Sequence, residues 1–187
     1  MKYAKFEQIE TNRLRLRQLS KEDVECYYKH LGSSEDVTRY MLWQPHQSQK
    51  ETCESIENVM ARYQNGNCYT WGIALAEDNT LIGRIDLLRF DEENNSCSFA
   101  YMLGKDFWGQ GFGTEALKAV FDFAFEKMEM KSIMADHMSE NIASGKVMQK
   151  AGMHHVKKHV SKYEKCGRDY DADEYLITYE DWLGVRE

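Results

Sequence analysis

From Leu14 to Leu19 the chain reads LRLRQL, an apolar–charged alternation with the two-residue period of a half-buried strand. The period then lengthens. Val24, Tyr27, Tyr28 and Leu31 recur at helical spacing behind Ser20 and Asp23, a pair arranged like a capping box. A short helical piece is expected around Asp36 to Tyr40, then a loop through Trp43, Gln44, Pro45 and His46. Ser48 and Glu51 form an S-x-x-E box, and Thr52, Ile56, Val59, Met60 and Tyr63 mark one face of the helix it opens. Asn65-Gly66-Asn67 breaks that helix. Three strand-like runs follow, Tyr69–Leu75, Thr80–Phe90 and Ser96–Leu103, turning at Ala76–Asn79 and at the acidic tip Asp91–Asn95 as a meander. Gly113 to Glu129 is the clearest helix, with Leu117, Val120, Phe121, Ala124 and Met128 on a wide apolar face. Ser132–Met138 reads as a strand, Ile142–Ala151 as a short helix closed by Gly152, and Met153–Val160 and Asp173–Thr178 as two last strands.

This order predicts an α+β fold with a mixed, mostly antiparallel sheet. The chain of 187 residues holds one proline, Pro45, and no linker or repeat, so a single domain over 1–187 is expected, with its core at about 10–182. A 42% hydrophobic share supplies a core. The net charge of -7 has the wrong sign for a general nucleic-acid or anionic-membrane binder. No stretch approaches the roughly 20 apolar residues that span a bilayer, and the N-terminus lacks a secretory apolar segment. Five cysteines without a CxxC pair suit reduced thiols, which predicts a cytoplasmic protein with no disulfide framework and no metal.

The most informative segment is Trp108-Gly109-Gln110-Gly111-Phe112-Gly113-Thr114-Glu115-Ala116, three alternate glycines between a strand end and a strong helix. Glycine lets backbone turn tightly and approach a ligand. The first helix amides lack intrahelical partners and carry the positive end of the dipole, a setting for phosphate or pyrophosphate. A glycine-rich turn that merely reverses the chain fits equally. A Walker loop does not, because Glu115 follows Gly113-Thr114 where Lys-Ser/Thr would be needed. A dinucleotide fingerprint fails at Thr114 and lacks its βαβ setting.

With this loop, the sequence resembles the GNAT acetyltransferase superfamily and its RimJ/RimL-type branch. The likeness covers about Glu10 to Trp182. Its landmarks are Glu10-Thr11-Asn12-Arg13-Leu14-Arg15-Leu16-Arg17, then Tyr40 to His46, Tyr101-Met102-Leu103-Gly104 with Phe107 to Ala116, and Asn141-Ile142-Ala143-Ser144 with Lys150-Ala151-Gly152-Met153. The resemblance implies a splayed sheet that holds acetyl-CoA. Trp108, Gly109, Gln110, Gly111, Phe112, Gly113 and Thr114 would cradle the pyrophosphate. Tyr101, Met102 and Leu103 would lie beside the pantetheine, with one amide polarising the thioester carbonyl. Asn141 would bond the pantetheine end, and Ser144 would sit near the leaving sulfur. An amine would attack the thioester directly. The attacking amine must be neutral, and an α-amine (pKa near 7.7–8.0) is more often so than a lysine (near 10.4).

The chain departs from the family pattern at its bases. Ser98 stands where a strand glutamate is common, and a downstream glutamate falls on Tyr163, with Glu164 adjacent. Asp86, His137 and Glu164 are the replacements, Glu164 being taken forward with Ser144 as the catalytic pair. Each has a plain alternative: Asp86 paired with Arg84 or Arg89, His137 a satisfied sheet histidine, Glu164 solvated. Asn141 and Ser144 could equally serve only to cap a helix. Tyr175 and Tyr179 alternate as on a strand, and the spacing of His154, His155 and His159 suits no metal motif. By resemblance the acceptor is a protein N-terminal α-amine, with a small-molecule amine or a non-catalytic acyl-CoA sensor as alternatives. The oligomeric state stays open, a homodimer included.

Overall fold

The computed structural model describes residues 3–64, 68–163 and 168–186. A two-residue strand β1 (Ile9–Glu10) turns into β2 (Leu14–Arg17), where Leu14 and Leu16 are fully buried as the alternation requires. A 3₁₀ turn at Lys21–Asp23 runs into α1 (Val24–Tyr27) and then a π-helical turn, Tyr28–Gly32. Next come α2 (Glu35–Thr38), α3 (Gln49–Gln64), β3 (Tyr69–Leu75), β4 (Leu81–Asp91) and β5 (Ser96–Leu103). A second 3₁₀ turn, Lys105–Phe107, leads to α4 (Phe112–Glu126), β6 (Ser132–Met138) and α5 (Ile142–Lys150). The strands β7 (His154–Tyr163) and β8 (Arg168–Thr178) precede α6 (Tyr179–Arg186).

All eight strands join one sheet in the order β1-β2-β3-β4-β5-β6-β8-β7. Every pairing is antiparallel except β5 with β6. One hydrophobic core gathers strand residues such as Trp71, Ile85 and Ile133 with Leu117, Val120 and Phe121 of α4, Met148 of α5 and Trp182 of α6. A second packs Tyr27, Leu31, Ile56 and Val59 against Leu19, Leu81 and Met102. Helix α4 fits its place because apolar residues surround most of its circumference, as a buried helix needs. No helix among the described residues is long and apolar enough to cross a membrane.

The expected α+β class and mixed sheet are present, with local corrections. Helix α4 ends at Glu126 rather than Glu129. Met128 N donates to Phe123 O, Met130 N to Ala124 O, and Glu129 takes a left-handed conformation (φ 57°) that turns the chain away. Tyr179 does not continue the last strand. Asp181 accepts from Thr178 N and Oγ1, and Thr178 Oγ1 accepts from Asp181 N, a reciprocal cap that starts α6. Strands β7 and β8 extend beyond their apolar stretches, with Lys157 and Glu174 in an ion pair across the strands.

The parallel pairing of β5 and β6 covers only Ser96, Cys97 and Ser98 against Ser132, Ile133 and Met134. Beyond it, β5 stays bonded to β4 as far as Leu103, and β6 to β8 as far as Met138. The sheet therefore opens into a wedge, with α4 starting beside one wall and α5 beside the other. Helix α5 sits close upon its strands because Gly145 has no side chain. A Cβ there would lie 2.7 Å from His137 Nε2 and 3.1 Å from the Tyr175 hydroxyl. Gly145→Ala should cost about 1–3 kcal/mol by overpacking, read as a lower urea midpoint. Adding His137→Ala should restore part of the loss; a single variant as stable as the parent would contradict this packing.

Candidate functional site

Gly104 ends β5 with its N–H on Ile82 O, and the chain then forms an exposed loop before α4. Trp108 donates its indole N–H to Leu103 O at 2.8 Å, which ties the loop to the strand it has left. Gln110 Nε2 donates to Asp106 O at 2.8 Å. Gly109 (φ 74°) and Gly111 (φ 85°) adopt left-handed conformations, and nothing lies within 4 Å of where a Gly109 Cβ would stand. Gly111 is the N-cap of α4, so no side chain caps the helix, and its first backbone bond runs from Glu115 N to Gly111 O. The amides of Phe112, Gly113 and Thr114 thus lead the helix without an intrahelical partner, at the positive end of its dipole. Space, free donors and field together suit an anion.

The third glycine serves another purpose. A Cβ on Gly113 would meet Leu103, Val147 and Tyr101 side-chain atoms at 3.3–3.5 Å. Its smallness lets α4 approach β5 and α5. On the wedge wall, Tyr101 and Leu103 pack toward the α4 core while Met102 turns into the other core. The Tyr101 hydroxyl donates to Ser144 Oγ at 3.4 Å across the two walls. Burial pushes the Tyr101 phenol above its ordinary pKa, which keeps it a donor. Ser144 itself is buried in the first turn of α5. Asn141 is the N-cap, accepting from Ser144 N through Oδ1 at 3.3 Å. The structure thus brings Tyr101, Leu103, Gly113 and Ser144 together and keeps Asn141 next to them as a cap.

The base candidates separate. Asp86 accepts from Thr70 Oγ1 at 2.5 Å and from Arg84 Nη2 and Nε at 2.8 and 3.0 Å. It is a paired carboxylate. His137 is buried; its Nδ1 lies 2.8 Å from Met138 O, and its Nε2 has no hydrogen-bond partner beneath Gly145. It packs under α5. Glu164 lies outside the described residues. His154, His155 and His159 pair with Asp181, Asp173 and Asp136. Among the described residues no group of His, Cys, Asp or Glu is arranged to hold a metal ion. The Trp43 loop docks through His46, whose ring stacks on Tyr27, lies tilted against Trp43 and sits 2.8 Å from Thr52 Oγ1 in the space that Gly32 leaves by lacking a Cβ.

Sequence reasoning misses one contributor. Arg13 and Glu115 meet 102 positions apart at the start of α4, joined by Thr11. Burial alone would raise the Glu115 carboxyl, but hydrogen bonds from Thr11 and Arg13 hold it below its ordinary value. No local pattern announces such a pair. A groove of about 690 Å³ runs between residues 7–13 and α4 and reaches Arg13 and Glu115, but none of Tyr101, Gly109 or Ser144 lines it.

Residues 13–154 match the family model described as an acetyltransferase (GNAT) domain. The "Uncharacterized N-acetyltransferase p20" of Bacillus licheniformis is 28% identical, over 96% of this chain and 100% of the relative. A Vibrio cholerae structure described as a "putative ribosomal-protein-serine acetyltransferase" superposes with a TM-score of 0.81 at 23% identity, covering 95% and 99% of the two chains. The Vibrio cholerae spermidine N-acetyltransferase in complex with CoA and spermine superposes with a TM-score of 0.77 at 19% identity, covering 92% and 99%.

The Asp86–Arg84 pair carries a consequence for stability. Both side chains are largely buried, so Arg84→Met leaves a carboxylate with its main partner gone. The expected cost is about 3 kcal/mol, measured by urea denaturation at pH 7. A loss under 1 kcal/mol would show that Asp86 does not depend on Arg84.

Proposed function

The chain belongs to the acetyltransferase (GNAT) family, and on that premise we propose that it acetylates the α-amine of polypeptide N-termini, as a RimJ/RimL-type enzyme. Acetyl-CoA-dependent N-acetyl transfer follows from the family and its relatives. The single observation that carries our reading of the site is the uncapped start of α4 where β5 and β6 part. There the amides from Gly111 to Thr114 would take the pyrophosphate, with Trp108, Gly109 and Gln110 shaping the loop. The pantetheine would run into the wedge beside Tyr101, Met102 and Leu103. A strand amide would donate to the developing oxyanion. The Asn141 amide nitrogen remains available while its oxygen caps α5.

The Ser144 hydroxyl would donate a hydrogen bond to the departing thiolate and keep its own proton. Because the Tyr101 hydroxyl donates to Ser144 Oγ, that oxygen's own hydrogen is left to point elsewhere. A thiolate with a pKa near 8.5 is a fair leaving group, so the help is modest. The neutral amine attacks the thioester carbonyl carbon, the C–S bond breaks, and the ammonium proton passes to water.

The choice of acceptor is supported by how two of the base candidates among the described residues are engaged. Asp86 is engaged by Arg84 and Thr70, and the His137 Nδ1 by a carbonyl. An acceptor that is already partly neutral needs the least from such a site. At pH 7.4 an α-amine is roughly 30% neutral, against about 0.1% for an alkyl amine of pKa 10.4. The likeness in fold to the structure described as a "putative ribosomal-protein-serine acetyltransferase" supports this choice. A second reading, a polyamine acceptor, is favoured by the net charge of -7 and the likeness to the spermidine enzyme.

Thiol release from acetyl-CoA should appear with N-terminal peptides and be at least tenfold slower with spermidine at equal concentration. The reverse order would select the polyamine. With peptides, kcat/KM should rise about tenfold per pH unit below pH 7 and level off above about pH 8, following the amine. Ser144→Ala should lower kcat about tenfold with KM for acetyl-CoA within threefold; parental kcat would remove Ser144 from the reaction.

A further inference from the structure

The turn between β1 and β2 reaches the glycine loop through one side chain. Every nitrogen of the Arg13 guanidinium is engaged. Nε donates to Glu115 Oε2 at 2.7 Å, Nη2 lies 2.6 Å from the same oxygen, and Nη1 donates to Gln110 O at 3.0 Å. The group also lies over the Phe112 ring, 4.4 Å from its centroid. Arg13 N and Thr11 Oγ1 donate to Glu115 Oε1 at 3.1 and 2.6 Å. The whole cluster stands at the first turn of α4.

Two consequences follow for any anion bound there. A carboxylate in the first turn helps an isolated helix by answering its dipole, yet it repels an anion that comes to the same amides. Glu115 is such a carboxylate. The second consequence is geometric. In a trans peptide the C=O and the following N–H point in opposite directions. Holding Gln110 O toward Arg13 therefore turns the Gly111 N–H away from Arg13. Gly111 leaves room for this, since a Cβ there would stand 3.4 Å from Arg13 Nη2.

We propose that Arg13 is a positioning residue for cofactor affinity: it neutralises Glu115 at the mouth of the anion site and, through Gln110, aims the Gly111 amide at the CoA pyrophosphate. The inference rests on the reading of the glycine loop as the pyrophosphate site. Arginine suits the position because its planar fork serves the carboxylate and the carbonyl at once, which an ammonium group cannot do.

The test is CoA affinity by titration calorimetry in the parent, Arg13→Met, Glu115→Gln and the double variant, with acetyl-CoA kinetics alongside. Arg13→Met should weaken CoA at least tenfold, and KM for acetyl-CoA should rise with it while kcat falls less than threefold. Removing the bare carboxylate as well should recover at least a third of the lost factor on a logarithmic scale. Glu115→Gln alone should bind CoA at least as tightly as the parent, because the repelling carboxylate is gone while Arg13 remains. If Arg13→Met does not fold, Arg13→Lys, which cannot serve carboxylate and carbonyl at once, should still weaken CoA at least threefold. Affinity within twofold of the parent in Arg13→Met overturns the proposal. So does a double variant as weak as Arg13→Met, or a tenfold loss in Glu115→Gln. A parent that binds acetyl-pantetheine and CoA equally would instead overturn the pyrophosphate site itself.

Discussion

The structure turns on a pairing that stops early. Strands β5 and β6 share a parallel ladder for three residues and then diverge, while each remains bonded to its other neighbour. Buried backbone donors and acceptors need partners, so a sheet does not part without something to hold it open. Here the start of α4 and the body of α5 do so. Gly113 lets α4 press on Tyr101 and Leu103, Val147 of α5 closes the same contact, and Gly145 lets α5 settle over His137 and Tyr175. The two glycines set how closely the two helices approach the strands.

The charged positions on and just before β2 show how the rest is fastened. Arg15 and Arg17 occupy the polar side of the LRLRQL alternation and Arg13 continues it one step earlier, which marks them only as solvent-facing. Each fixes a different element. Arg15 holds Glu10 of β1, Arg17 holds Asp23 in the first helical turn, and Arg13 holds Glu115 of α4. The Arg17–Asp23 pair is well shielded, and Asp23 also accepts from Ser20 N at 2.8 Å, so one carboxylate joins strand and cap. The opposite, apolar side of the same strand is the core.

Much of the fold was legible because periodicity reports burial on a single element. The alternation at Leu14–Leu19, the helix starts at Ser20 and Ser48, the meander and the apolar face of α4 all express local rules, although Glu51 accepts from Gln47 N rather than closing a box on Ser48 N. The elements that escaped lack such a signal. Strand β1 is two residues long. Helix α6 buries Trp182 alone among its residues and begins on a reciprocal cap that a strand reading of Tyr175 and Tyr179 overrides. The π turn at Tyr28–Gly32 keeps the four-residue spacing of its apolar neighbours, so its extra residue leaves no trace in the pattern. At the site, the glycine loop and Asn141 were legible because glycine and capping residues answer to backbone geometry. The roles of Asp86 and His137 were not, since what engages Asp86 and what lies over His137 is decided across strands. The Arg13–Glu115 pair is the extreme case, formed between residues that only the finished fold brings together.

One feature of α4 reaches beyond the chemistry. The longest apolar helix of the described chain begins on a glycine that supplies no capping group. An anion that settles on its leading amides would complete the helix as a side-chain cap does elsewhere. Occupancy would then add to the stability of the fold. A ligand at a hundred times its dissociation constant adds about 2.7 kcal/mol to the folded state. With the proposed cosubstrate seated there, the filled site would hold the helix start, and the fold around it, more firmly than the empty one.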